Sequence, residues 1–144
     1  MDGMRMAQEL RDGRSKGVDS EKITINLGLV DLGQIDLLVR ENFYSNRTDC
    51  IRTAIRNQLA THAEFVKQTI ARRTLALGLQ RFTRQDLETA KSSGRKLRIQ
   101  VLGLAVIADD VTPHLARASI ESLVVLGALH ASPGVKAALA DRMR

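Results

Sequence analysis

Lys22-Ile23-Thr24-Ile25-Asn26-Leu27-Gly28-Leu29 alternates polar and apolar residues, and a second stretch, Ser45-Asn46-Arg47-Thr48-Asp49, opens a helical pattern continuing Ile51-Arg52-Thr53-Ala54-Ile55-Arg56. Side chains of a strand alternate between faces. Ile23, Ile25, Leu27 and Leu29 then share one face, and Lys22, Thr24, Asn26 and Gly28 the other. A lone strand leaves its backbone N–H and C=O groups without partners. No second strand pattern lies nearby, so the expected partner is the same strand of another copy, antiparallel about a two-fold axis. The apolar face would cover the helices. The polar face would form a two-stranded ribbon of the width a DNA major groove admits.

The side chains on that polar face suit base edges. Lys22 can donate to guanine O6 and N7 or to a phosphate. Asn26 can pair with adenine N6 and N7, and Thr24 can donate, accept or lay its methyl on thymine. The plain alternative is an ordinary half-exposed strand, and the helices that follow weigh against it. Asp31, with Gln34 three residues on, predicts a capping box at the start of the first helix. Ile35, Leu38 and Val39 give it an apolar stripe. Asn42 falls where a left-handed C′ residue is expected. Asn46 and Asp49 predict a second capping box, and Ile51, Ala54, Ile55 and Leu59 the buried face of the second helix. The free N–H groups at that helix start form an anion site, ringed by Arg47, Thr48 and Arg52. For Arg52 and Arg56 a solvated face with local pairs, such as Asp49 to Arg52, is an equal reading.

Residues 21–60 resemble the ribbon-helix-helix domain of the CopG-like transcriptional regulators. The corner Phe43-Tyr44-Ser45-Asn46-Arg47-Thr48-Asp49, with Ile51-Arg52 and Ala54-Ile55-Arg56 behind it, carries the resemblance. The resemblance implies a dimer whose ribbon reads bases through Lys22, Thr24 and Asn26. It also implies backbone contacts by Ser45, Asn46, Arg47 and Thr48. Asn42 departs from the family, which commonly has glycine there. The expected role is a sequence-specific transcriptional regulator, a repressor, on double-stranded DNA. The alternatives are an antitoxin-like autoregulator with a protein partner and an architectural DNA-binding protein.

The 144 residues are 44% apolar and 3% aromatic, enough for an aliphatic core. Net charge is +6, and residues 1–100 hold all of it. That excess, with a pI near 10.1, suits a polyanion. Cys50 is the only cysteine, so no internal disulfide exists; a small structural residue in a reducing cytoplasm, at the bacterial nucleoid, is expected. His62, His114 and His130 lack ligand spacing, so neither metal nor cofactor is expected. There is no Gly-rich phosphate loop, nucleophile elbow or paired-histidine motif, and enzyme activity is not expected. No apolar run of membrane-spanning length occurs. Asp109-Asp110 reads as a turn.

The expected fold is α+β and mainly helical. A polar arm over residues 1–20, with a transient helix from Met4 to Arg11, precedes the ribbon-helix-helix at 21–60. A helical extension over 61–96 follows, either unbroken to Gly78 or interrupted near Thr61-His62, with Thr83 and Asp86 capping a short helix that ends at Gly94. In the last segment, 97–144, Val101-Leu102-Gly103-Leu104 recurs as Val125-Leu126-Gly127-Ala128. Each copy leads to a Ser/Thr-Pro helix start, Thr112-Pro113 and Ser132-Pro133. Two copies are few for a stacked core. Leu97, Ile99, Val101, Val106, Ile107, Leu123 and Val125 are expected to leave open apolar edges that invite another chain. A self-association module and a tail packed on the long helix are equal readings.

Overall fold

A glycine, not an aspartate, caps the first helix. The computed structural model describes residues 20–144, and the arm read over residues 1–20 lies, up to residue 19, outside the described residues. Helix α1 spans Leu29–Arg40 with Gly28 as its extended N-cap. Asp31 therefore sits in the first turn, where a carboxylate favours the helix dipole, and the expected Asp31–Gln34 box is not formed. Leu29 belongs to this helix rather than to the strand pattern.

The corner follows the sequence closely. Asn42 has φ of 64°. Its N–H donates to the Val39 carbonyl at 3.1 Å, and the Phe43 N–H to the Leu38 carbonyl at 2.9 Å. These two bonds make a Schellman stop with Asn42 at C′. Helix α2 spans Arg47–Thr61, and the Asn46 side chain accepts from the Asp49 N–H. Asp49 does not complete the box on Asn46; its carboxylate accepts from the Ser45 N–H at 3.0 Å, one residue earlier. Helix α3, Ala63–Arg73, follows the break at His62, so the interrupted form of the extension is the one observed.

The chain divides into two compact units, residues 22–69 and a second that includes residues 70–144. In the first, Cys50 is the one buried residue among those described. Ile35, Leu38, Val39 and Ile51 are half-buried. Ala54, Ile55 and Leu59, expected inside, are exposed in the single chain.

In the second unit the strand-helix succession starts earlier than the sequence suggests. Leu77 and Gly78, read as the end of a helix, lie within strand β1, Ala76–Phe82. The reason is Thr74, at φ 54°. Its N–H donates to Ala71 and that of Leu75 to Ile70, a second Schellman stop, carried by a β-branched residue that rarely adopts this conformation. Then come α4 (Arg84–Ser92), β2 (Leu97–Ile107), α5 (Pro113–Ser119), β3 (Ile120–His130), α6 (Pro133–Leu139) and a 3₁₀ turn at Ala140–Arg142. The Thr83–Asp86 box on α4 is reciprocal. Thr112 and Ser132 cap α5 and α6, each with proline in the first turn. Asp109-Asp110 is a turn.

The three strands are parallel in the order β1-β2-β3. The connecting segments have the dozen or more residues a parallel crossover needs. Gly78, Gly103 and Gly127 stand side by side in the register, all at positive φ. A Cβ on Gly103 would fall on the Gly78 carbonyl oxygen, and one on Gly127 on that of Gly103. The repeat therefore has three copies, the first being Leu77-Gly78-Leu79.

Helices α4 to α6 cover one face of this sheet. Leu87, Leu115, Ala116, Val135 and Leu139 pack there against Ile99, Val101, Ala105, Ile107, Ile120 and Leu123. This corrects the expectation that Ile99, Val101, Ile107 and Leu123 form open edges: strand alternation turns them inward, and Leu97 and Val125 also pack on the core. At the β3 edge the Arg144 N–H donates to the Leu123 carbonyl at 2.9 Å. Arg117 holds Asp141 through two hydrogen bonds of 2.8 and 3.1 Å, fastening the 3₁₀ turn to α5.

Candidate nucleic-acid interface

Residues 20–28 are neither helix nor strand in the single chain, and from Ser20 to Val30 every side chain is exposed. Lys22, Thr24 and Asn26 lie in this segment. Between them Ile23 and Ile25 are 73% and 59% exposed. Leaving that much aliphatic surface in water costs a few kcal/mol, roughly 25 cal/mol per Å².

The start of α2 is more tightly organised than its sequence suggests. Arg47 donates from Nε to Asp36 Oδ1 at 2.7 Å and from a terminal nitrogen to Oδ2 at 2.8 Å. This bidentate pair clasps α1 to α2. The Arg47 hydrogen bond holds the Asp36 carboxyl below the usual carboxylate range, and Asp36 in turn raises Arg47. The two are about half exposed, so solvent screens the pair. Asn46 spends its side-chain oxygen on the Asp49 N–H, and Ser45 its N–H on Asp49. Thr48 and Arg52 are exposed. Among the described residues no ion pair joins Asp49 to Arg52. At this corner Arg47 is already engaged by Asp36, while Thr48 and Arg52 are exposed without a side-chain bond among those observed. Asp36, eleven positions away, has no local signal that would have marked it as the partner.

A model of the Ribbon-Helix-Helix transcriptional regulator family matches residues 18–136. The chain belongs to this ribbon-helix-helix family. The match runs through both compact units, so the sheet unit is part of what the family model describes rather than a tail beyond it. Comparison with curated proteins and with solved structures gives no match. Ribbon-helix-helix regulators bind DNA and commonly dimerise.

Within residues 1–100, which hold the whole basic excess, the charge is uneven. Residues 22–69 hold six Lys and Arg against five acids, net +1. Residues 70–100 hold eight against Asp86 and Glu88, net +6, which equals the charge of the whole chain. The basic excess therefore lies at the end of α3 and in β1, α4 and the start of β2, not on the ribbon-helix-helix unit. No helix among the described residues is long and apolar enough to cross a membrane.

Proposed function

We propose that this ribbon-helix-helix protein is a sequence-specific repressor acting as a dimer or higher oligomer. Two copies pair Lys22–Gly28 into an antiparallel ribbon that enters the major groove. Lys22, Thr24 and Asn26 contact bases. Ser45, Asn46, Arg47, Thr48 and Arg52 contact the phosphate backbone, which fixes register while the ribbon reads sequence. The observation that carries the reading is the near-absence of a core in residues 22–69: Cys50 alone is buried, while Ile23, Ile25, Leu27 and Ile55 are exposed. Pairing two copies would bury those side chains and supply the strand with its hydrogen-bond partners.

The test is a gel shift on DNA from upstream of the protein's own gene, with and without a large excess of nonspecific competitor. Binding should survive the competitor. Asn26→Ala should cost about 1–3 kcal/mol on the preferred site and relax preference at one base pair, with folding unchanged. Wild-type affinity and preference in that variant would remove Asn26 from the readout.

A further inference from the structure

The sheet has a second face, and its own helices do not cover it. Leu77 and Leu79 on β1, Leu102 and Leu104 on β2, and Val124 and Leu126 on β3 stand on this face in adjacent register. None of the six belongs to the core under the helices. Leu77, Leu79 and Leu126 are 67%, 56% and 49% exposed. Polar residues flank the strip: Gln100 stands beside Val124, with Arg98 and Ser122 beyond it, and Arg81 and His130 stand on either side of Val106 at the other end. All-parallel sheets occur almost only with both faces covered. An apolar centre within a polar rim has the anatomy of an interface.

The size of the strip says what covers it. Three strands at a spacing of about 4.8 Å and some five residues at about 3.3 Å each make a footprint on the order of 250 Å². A stable complex of free partners needs roughly 800 Å² on each side. The strip is too small to hold a partner from solution. It is large enough for a partner already tethered, because linkage raises the effective concentration to the millimolar range. The ribbon dimer supplies such a partner, carrying the same flat leucine strip. We propose that the leucine face of the sheet packs on the same face of the second copy within the ribbon dimer, two sheets stacked about 10 Å apart. This rests on the dimer proposed above.

Site-directed cross-linking of the full chain tests it. In a Cys50→Ala background, Leu104→Cys places a thiol at the centre of the face and Leu79→Cys one on the exposed edge strand, where folding is least disturbed. Lys91→Cys, at an exposed position of α4 on the helix-covered side of the sheet, is the control. With a short bismaleimide, both face variants should give a two-chain product and the control none. Because the faces are tethered, the yield should change less than twofold over a hundredfold dilution. Sedimentation at the same concentrations reports the ribbon dimer separately. A dimer whose face thiols stay unlinked overturns the sheet pairing alone. So does a yield that falls in proportion to dilution while the dimer persists. A chain that sediments as a monomer overturns the ribbon dimer and, with it, the tether.

Discussion

At the scale of single residues, the glycine row shows how three small side chains fix a sheet. Gly103 and Gly127 are required twice, for their positive φ and for the carbonyl each meets where a Cβ would be. Gly78 is required once: its φ is 105°, but a Cβ there would meet nothing within 4 Å. The expected order of damage follows. Gly78→Ala should cost about 1–3 kcal/mol, the range for a non-glycine residue held in a sparsely populated region. Gly103→Ala and Gly127→Ala should cost more than Gly78→Ala in the same urea titration, because backbone must also move. Equal midpoints for all three would mean that the carbonyl contacts relax at no cost. The row explains why each copy of the repeat, Leu-Gly-Leu twice and then Leu126-Gly127-Ala128, keeps its central glycine.

At the scale of elements, the corner between α1 and α2 was legible and the start of the sheet was not, for the same physical reason. Caps act over three or four residues, so Asn42, Asn46, Thr83, Thr112 and Ser132 announce themselves. Thr74 stops α3 without any of the residues that commonly do so, and the helical spacing of Ile70 and Leu77 runs through it into a strand. The Arg47–Asp36 clasp spans two helices and has no local spelling at all. It makes a testable compromise, since Arg47 is also the proposed phosphate ligand. Asp36→Asn should free the guanidinium and raise affinity for duplex DNA of any sequence at low salt. In an Arg47→Ala background that gain should shrink; a gain of the same size there would make it a general charge effect. The clasp also has a pH signature. The folded pKa of Asp36 is depressed. Its contribution is therefore complete above the ordinary carboxylate range, about pH 4, and is lost as pH falls through the lowered value. Acid titrations of wild type and Asp36→Asn should differ above that window and converge below it.

At the scale of the whole molecule, the two units owe their stability to different sources. Residues 70–144 own a core built within one chain, centred on Leu87, Ile107, Ile120, Leu123 and Leu139. Residues 22–69 own almost none, Cys50 alone being buried there, and in the proposed dimer they would draw their core from a second copy. Folding of the first kind is unimolecular, and folding of the second kind gains stability with protein concentration. A calorimetric scan of the full chain should therefore show two transitions. The ribbon-helix-helix transition should move upward as protein concentration rises, and duplex DNA carrying the preferred site should raise it further, since that ligand binds the paired form. The sheet transition should not move. Once the ribbon has come apart, the leucine faces lose their tether, and a footprint of that size does not hold them together at micromolar concentration. A single transition independent of concentration would instead mean that residues 22–69 complete their core within the chain, and the ribbon would have no reason to form.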